Sequence, residues 1–207
     1  MKNNVTELVF VLDRSGSMAG LEKDTIGGFN SMLAKQKKNE GKAYLTTVLF
    51  DDRYELLYNR INLAKARPIT EDQYYVRGAT ALLDAVGYTI QKIKHEKAEG
   101  SNVIFVITTD GYENSSHEYT YAKLKELIKK QKKEGWEFIF LGANIDAKET
   151  AGKFGVNPER AANFMNDSQG IMNNYATLDK AIKEFRETRK IDAGWSREID
   201  EDYAKRH

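Results

Sequence analysis

The sequence predicts an α/β protein with an open, doubly wound and mostly parallel six-stranded sheet that carries helices on both faces. Short apolar runs rich in β-branched and aromatic residues, such as residues 5–12 (VTELVFVL) and 102–109 (NVIFVITT), are typical of strands buried on both faces. Between these runs, apolar residues recur at helical spacing. This alternation of strands and helices favours parallel pairing through right-handed crossovers.

Six segments have the composition of strands, and the second and third of them form a pair. Residues 42–52 (KAYLTTVLFDD) lead through a tight acidic turn into residues 53–61 (RYELLYNRI), which indicates two adjacent strands. Frequent charges in residues 53–61 place that strand at an edge of the sheet. In chain order, the predicted strands are 5–12, 42–52, 53–61, 102–109, 136–144 and 161–165.

Apolar residues spaced three or four apart predict four helices. Each stripe gives its helix one apolar face, which can pack on the sheet. The stripes are formed by Ile26, Phe29 and Leu33 within 21–38, by Leu82, Val86, Ile90 and Ile93 within 80–96, by Leu124, Leu127 and Ile128 within 119–133, and by Ile171, Tyr175, Leu178, Ile182 and Phe185 in the last of these helices.

The character of the chain changes after this helix. We predict one domain over residues 1–188 and a charged C-terminal tail over residues 189–207. Apolar residues still recur four apart in the tail, at Ile191, Trp195, Ile199 and Tyr203. That spacing allows a short helix docked on the domain or offered to a partner, and a loosely ordered tail is the other alternative.

The composition excludes several functions. With 32 basic and 31 acidic side chains the net charge is +1, which gives no support for binding to nucleic acid or to an anionic membrane. The absence of cysteine excludes disulfides and thiolate ligands, and leaves oxygen or imidazole for any metal. Residues 1–13 are unlike a signal peptide, and no segment is long and apolar enough to span a bilayer. We therefore expect a cytoplasmic protein.

Oxygen-bearing side chains are concentrated in three loops: 13–18 (DRSGSM) after the first strand, 77–86 (RGATALLDAV) before a helix, and 108–114 (TTDGYEN) after the fourth strand. In doubly wound sheets, ligands bind beyond the carboxyl ends of the strands, so these loops are expected to meet. Two carboxylates and three hydroxyls suit a hard divalent cation, Mg²⁺ or alternatively Mn²⁺ or Ca²⁺. The predicted ligands are Asp13, Ser15, Ser17, Thr80 and Asp110.

Spacing within the first loop supports convergence on one point. Asp13, Ser15 and Ser17 occupy alternate positions, so an extended turn would project all three side chains from one side of the backbone. Gly16 would allow the chain to bend between the two serines.

This pattern resembles the metal-ion-dependent adhesion site of von Willebrand factor A-like domains, in which Asp-x-Ser-x-Ser is followed by a distant Thr and a distant Asp. The resemblance covers about residues 5–188 and includes residues 141–155 (LGANIDAKETAGKFG), which are similar to bacterial members. Ala79 departs from it, because many relatives carry a second glycine there. The resemblance implies a Rossmann-like fold and a metal whose coordination is completed by an acidic side chain of a partner protein.

Each predicted ligand also has an ordinary structural alternative. Serine and threonine often cap helices, and Asp110 could close an Asx turn. The occurrence of all five residues in three adjacent loops favours the metal interpretation over separate caps. Asp51 and Asp52 could support the site or merely shape their turn. Ordinary structural or surface roles are expected for Asp84, Tyr74, Tyr75, Arg77, His95, His117 and His207.

The sequence therefore predicts a divalent-metal-dependent protein-binding module, and not an enzyme, with an intracellular assembly or regulatory role. We expect a partner protein that supplies a carboxylate, and no nucleic acid, membrane or small-molecule substrate. The alternative is a Mg²⁺-dependent phosphohydrolase with Asp13 as nucleophile. Ser15, where such enzymes place a general acid, is a poor acid, and the common phosphate-binding glycine motifs are missing. A third possibility is a structural domain with a vestigial site.

Overall fold

A computed structural model describes residues 5–207, so the first four residues of the predicted domain 1–188 lie outside the described part. The strands are β1 (Thr6–Asp13), β2 (Ala43–Phe50), β3 (Tyr54–Asn62), β4 (Asn102–Thr109), β5 (Glu137–Gly142) and β6 (Ala161–Asn163). They form one six-stranded sheet in the order β3-β2-β1-β4-β5-β6. Only the pair β2 and β3 is antiparallel, and β3 lies at an edge. The predicted mostly parallel sheet is confirmed.

Helices cover both faces of this sheet. Their bounds are α1 (Glu22–Gln36), α2 (Leu82–Glu96), α3 (Tyr121–Lys133), α4 (Ala147–Lys153), α5 (Ser168–Thr188) and α6 (Arg197–Arg206). Side chains alternate along β1, so Leu8, Phe10 and Leu12 belong to one apolar core with residues of α1, α5 and α6, while Val9 and Val11 belong to the other with residues of α2, α3 and α4. The result is a three-layer α/β fold with two apolar cores.

The strand order changes direction at β1, and this defines where the loops meet. Strand β2 pairs with one edge of β1, and β4, which comes later in the chain, pairs with the other edge of β1. Asp13, at the end of β1, is in register with Phe50 of β2, and Leu12 is in register with Thr108 of β4. The carboxyl ends of three adjacent strands therefore lie side by side, which is the usual ligand crevice of such sheets.

The C-terminal tail contains helix α6, and three of its four regularly spaced apolar residues are buried, whereas Tyr203 is partly exposed. Ile191, Trp195 and Ile199 are all under one tenth exposed. The Trp195 indole Nε1 donates a hydrogen bond to the Glu159 carbonyl at 2.9 Å. The tail is thus docked in this structure, although the proposed boundary at residue 188 stays a prediction. Within residues 5–207, no helix is long and apolar enough to cross a membrane.

Candidate metal centre

The ends of β1 and β4 bring four of the predicted ligands into direct contact. Ser15 Oγ and Ser17 Oγ lie 3.1 Å apart, and Ser17 Oγ donates a hydrogen bond to Asp110 Oδ1 at 2.5 Å. The backbone N–H of Ser15 donates to Asp13 Oδ1 at 2.7 Å. Residues separated by nearly one hundred positions in the chain thus share one polar cluster.

Thr80 reaches the same cluster from the loop before α2. A Cβ built on Gly111 would lie 3.5 Å from Ser17 Oγ and 3.8 Å from Thr80 Oγ1, so both hydroxyls approach one point beside Asp110. Two backbone contacts hold the Thr80 loop there. The Gly16 N–H donates to the Gly78 carbonyl at 3.2 Å, and the Thr80 N–H donates to the Asn114 side chain at 2.9 Å. The structure therefore brings all five predicted residues to one place.

The hydroxyl groups are not used as helix caps. The residues before α1 and α2 are Leu21 and Ala81, and neither makes a side-chain cap. Ser15 precedes a short 3-10 turn without donating or accepting a capping hydrogen bond through its side chain. The capping alternatives for the two serines and for Thr80 are therefore wrong.

The backbone of the first loop differs from the expected extended turn. It is extended at Ser15, but Ser17 lies within the 3-10 turn Gly16–Met18. The tighter turn still keeps the two serine hydroxyls within contact distance. The glycine that needs left-handed backbone is Gly78, with φ of 67°, and it is not Gly16.

The two carboxylates of the cluster are buried without a cationic partner. Asp13 is 2% exposed and Asp110 is 1% exposed. In residues 5–207, neither is within ion-pair distance of a lysine, arginine or histidine. Burial raises the pKa of Asp13 to about 6, although hydrogen bonds from Thr109 and Ser15 lower it, and the nearby Asp110 raises it further. Burial likewise raises the pKa of Asp110.

These side chains have the donor chemistry that a hard divalent cation requires. Buried negative charge is costly unless it is paired or bound to a metal, and hydroxyl and carboxylate oxygens are the ligands that Mg²⁺ and Mn²⁺ prefer. No group of three or more histidine, aspartate or glutamate side chains suited to a metal occurs in the described chain. A cation site here would therefore need the hydroxyls as well as the two carboxylates.

Asp51 binds residues of the 13–18 and 77–86 loops, so its contacts reach beyond its own turn. Its Oδ2 accepts from Arg14 Nε at 2.9 Å and from Arg77 Nε at 2.7 Å, and its carbonyl accepts from the Ala81 N–H at 2.8 Å. Burial alone would raise the pKa of Asp51, but the hydrogen bonds from Arg77, from the Arg53 N–H and from Arg14 lower it. The residue is thus a structural link between the first and second loops.

Three further residues donate hydrogen bonds to Asp13 or Asp110, two of them to a carboxylate and one to a backbone carbonyl, and sequence reasoning missed them. Thr109 Oγ1 donates to Asp13 Oδ2 at 2.6 Å. Asn166 Nδ2 donates to Asp110 Oδ2 at 3.1 Å, and Asn144 Nδ2 donates to the Asp110 carbonyl at 3.3 Å. Thr109 could have been found, since it is a polar residue at the end of an apolar strand. The two asparagines lie in loops that follow β5 and β6 and carry no motif of their own.

Tyr74 also belongs to the surroundings of the cluster. It is fully buried, and its hydroxyl donates to the Asp13 carbonyl at 2.5 Å. Burial raises the pKa of Tyr74 well above its usual value, so the hydroxyl keeps the proton that it donates. Tyr75 is 43% exposed beneath the guanidinium groups of Arg14 and Arg77.

The remaining side chains have ordinary roles. The carboxylate of Asp84 accepts backbone hydrogen bonds from His117, Glu118 and Tyr119 at 2.7 to 3.0 Å, which makes it structural as predicted. The three histidines are exposed, also as predicted.

Fold and cluster together define an α/β protein with an oxygen-rich site at the switch in strand order. Within this class, the chain belongs to the family of the von Willebrand factor type A domain, whose model matches residues 7–177. The expected membership of this family is confirmed. The match ends inside α5, before the C-terminal tail. A sequence search among curated proteins finds no match.

Solved structures with the same fold come from diverse organisms. The PilB minor pilin of Streptococcus sanguinis has a TM-score of 0.64 and 13% identity, over 86% of this chain and 61% of the pilin. PTMP1 from the mussel byssus is described with zinc in its MIDAS motif, the metal-ion-dependent adhesion site. It has a TM-score of 0.62 and 15% identity, over 86% of this chain and 46% of PTMP1. Manganese-loaded TRAP of Plasmodium vivax has a TM-score of 0.55 and 17% identity, over 84% and 74%. The chain thus spans under two thirds of the pilin and under half of PTMP1.

Proposed function

We propose that this protein is a divalent-metal-dependent protein-binding module, and not an enzyme. In this proposal the ion is held by Asp13, Ser15, Ser17, Thr80 and Asp110. One observation carries this proposal: two buried carboxylates lie next to hydroxyl groups that cap no helix. Among residues 5–207, these carboxylates have no cationic partner. A bound Mg²⁺, or Mn²⁺ or Ca²⁺, would supply the missing positive charge.

The proposed partner contributes a carboxylate. Hydroxyl ligands are neutral, so an ion held largely by hydroxyls keeps a strong preference for a further anionic ligand. Access is available on the side of Gly16 and Ser17, since both are exposed. Tyr112, two residues after Asp110 in the chain, is 63% exposed. An acidic side chain of a partner protein could therefore reach the ion without unfolding the site.

The structural neighbours support a metal through their own printed descriptions. One is described with zinc in its MIDAS motif, and another is described as manganese-loaded. Because their identity to this chain is below 20%, they support the kind of site and do not identify the ion or the partner.

A phosphohydrolase gains no support from the geometry of Asp13. A nucleophilic carboxylate must reach its substrate, but Asp13 is 2% exposed and both its oxygens already accept hydrogen bonds. A screen of phosphate esters in the presence of Mg²⁺ would test this point. Turnover that is lost in Asp13→Asn would overturn the binding-module proposal.

We propose that the partner is an intracellular protein. The proposal includes no binding to nucleic acid, to a membrane or to a small-molecule substrate. This location rests on the sequence-based expectation of a cytoplasmic protein. A pilin and a pilus adhesin are among the neighbours, and they raise the alternative of a cell-surface partner. Fractionation of the native cell followed by immunodetection decides between these compartments.

Metal binding itself is tested by thermal unfolding with increasing Mn²⁺ or Mg²⁺. A ligand that binds only the folded state stabilises it by about 2.7 kcal/mol at a concentration 100 times its Kd, so the Tm should rise. Asp110→Asn should lose this rise, whereas Asp72→Asn, a change at an exposed aspartate, should keep it. No rise for the wild-type protein in millimolar metal would favour the vestigial alternative.

Partner binding is tested by capture from the native cell, in Mg²⁺ and in EDTA. We expect a protein that is retained in Mg²⁺, released by EDTA and not retained by Asp110→Asn. A partner retained equally well in EDTA would contradict the proposed role of the ion.

A further inference from the structure

The loop between β6 and α5, residues 164–167, touches the proposed metal site on one side and the C-terminal helix α6 on the other. Asn166 Nδ2 donates to Asp110 Oδ2 at 3.1 Å. The next residue, Asp167, accepts a hydrogen bond from Arg206 Nη1 at 2.5 Å. Two adjacent residues thus connect Asp110 with the next-to-last residue of the chain.

Asn166 and Ser17 together determine how the Asp110 carboxylate is turned. Ser17 Oγ donates to Oδ1 and Asn166 Nδ2 donates to Oδ2, so each oxygen has one neutral donor. A neutral donor orients a carboxylate but leaves its full negative charge available to a cation, which a lysine or arginine would not do. The remaining polar atom of this amide, Asn166 Oδ1, is buried and accepts no hydrogen bond from the described residues. Asp110 is therefore the polar contact of the Asn166 side chain.

The position of Asn166 depends on how the 164–167 loop is held. Phe164 is buried, and its N–H donates to the Gly142 carbonyl at 3.1 Å. At the other end, Asp167 Oδ1 accepts from the Gly170 N–H at 2.8 Å and caps α5. The second oxygen of Asp167 faces Arg206.

Helix α6 presents Arg206 to this loop. Asp202, one turn earlier on the same helix, accepts from the Arg206 guanidinium and directs it. The helix is anchored to the domain by Ile199, which is 2% exposed, and by Trp195. Arg206 therefore reaches Asp167 from an element that is itself fixed by apolar burial.

We propose that Asn166 is a positioning residue for Asp110, and that α6 holds Asn166 in place through the ion pair between Arg206 and Asp167, so that the C-terminal tail increases the metal affinity of the site. The inference rests on the proposed metal-binding function. The helix lies beyond residue 177, where the family match ends.

The test is calorimetric titration of the full-length protein with Mn²⁺. Asn166→Ala should weaken Mn²⁺ binding by about threefold to tenfold, the typical net value of one lost hydrogen bond. Arg206→Glu places a negative charge against Asp167 and should weaken binding by about twofold to fivefold, because the pair is partly exposed. Lys205→Glu is the matched control, since it makes the same charge change at an exposed neighbour and should leave the Kd within about twofold.

The double variant Asn166→Ala with Arg206→Glu distinguishes positioning from general destabilisation. If α6 acts through Asn166, the double variant should bind Mn²⁺ as weakly as Asn166→Ala alone, since the two effects share one path. Additive losses, or wild-type Kd values for both single variants, would overturn this inference while leaving the proposed function intact. Failure of the wild-type protein to bind Mn²⁺ would overturn the proposed function and this inference with it.

Discussion

Arg14 and Asp51 form an ion pair of 2.9 Å in which neither side chain is exposed. Arg14 stands between two proposed metal ligands, Asp13 and Ser15, and its side chain points away from them because neighbouring residues alternate along an extended backbone. Asp51 binds Arg77 at 2.7 Å as well. The ion pair between Arg14 and Asp51 thus stabilises the 13–18 loop, although neither residue is a proposed metal ligand.

We predict that Asp51→Ala destabilises the protein by about 3 kcal/mol, because it leaves the buried Arg14 guanidinium with Glu55 as its remaining ion-pair partner. Urea denaturation in EDTA measures the effect without a contribution from metal. Asp72→Ala, which alters an exposed aspartate away from this ion pair, is the control and should change the free energy of unfolding by less than about 0.5 kcal/mol. Equal losses in the two variants would show that the ion pair is not the cause.

Asp13→Asn should stabilise the protein in EDTA at pH 7 and remove its response to metal. Burial raises the pKa of Asp13 from its usual 3.8 to about 6, so the folded state favours the protonated form. The corresponding stability is fully present below pH 3.8 and is lost as the pH rises through about 6. At pH 7 the ionised group therefore costs about 3 kcal/mol, which asparagine avoids.

The measurement is the free energy of unfolding between pH 4 and 7.5, in EDTA and in Mn²⁺. In EDTA the variant should be more stable than the wild-type protein at pH 7, and the two should converge toward pH 4. In excess Mn²⁺ the order should reverse, because only the wild-type protein gains from the ion. A variant that is less stable than wild type in EDTA at every pH would argue against an unpaired buried charge at this position.

The sheet could be predicted because its strands are apolar on both faces and its helices carry apolar stripes. The strand predicted at 102–109 has the same bounds as β4, and the charged segment 53–61 proved to be an edge strand. Helix α4, over Ala147–Lys153, was not predicted, since seven residues rich in alanine, glycine and charge give no apolar stripe.

The proposed ligands could be predicted because the carboxyl ends of adjacent parallel strands share one edge, which brings their loops together whatever the intervening sequence. Asn166 could not be predicted in this way. Its contact with Asp110 spans 56 residues and depends on how the last loop packs, and a single asparagine in a loop gives no pattern. The docking of the tail was one of several alternatives, and the burial of Trp195 and Ile199 decided it.

Gly170→Ala should destabilise the protein and weaken metal binding, although alanine normally favours a helix. A Cβ at Gly170 would lie 1.9 Å from the Met165 carbonyl oxygen, so the 164–167 loop would have to move. We expect a loss of about 1–3 kcal/mol, typical of overpacking, together with a weaker Mn²⁺ Kd because Asn166 moves with the loop.

Gly27→Ala in α1 is the matched control, since nothing lies within 4 Å of its Cβ position. This substitution should stabilise the protein by about 0.5–1 kcal/mol and leave the Kd for Mn²⁺ unchanged. The comparison uses urea denaturation and calorimetry. A stabilising Gly170→Ala with wild-type metal affinity would show that the loop does not position the site.

Thr80→Val should abolish most of the metal response while preserving the fold. Valine keeps the shape and the burial of Thr80, which is 3% exposed, but removes the hydroxyl that approaches Ser17 and the Asp110 loop. Because this hydroxyl caps no helix, its removal should change the free energy of unfolding in EDTA by less than about 1 kcal/mol. The Tm increase produced by Mn²⁺ should nevertheless fall strongly, since one proposed ligand is missing.

Thr177→Val is the control for the same chemical change at a buried position, where Oγ1 has no described hydrogen-bond partner. That variant should be neutral or stabilised by about 1 kcal/mol and should keep the full response to Mn²⁺. An unchanged response in Thr80→Val would remove Thr80 from the proposed ligands, and an equal loss in Thr177→Val would show that the effect is not specific to the site.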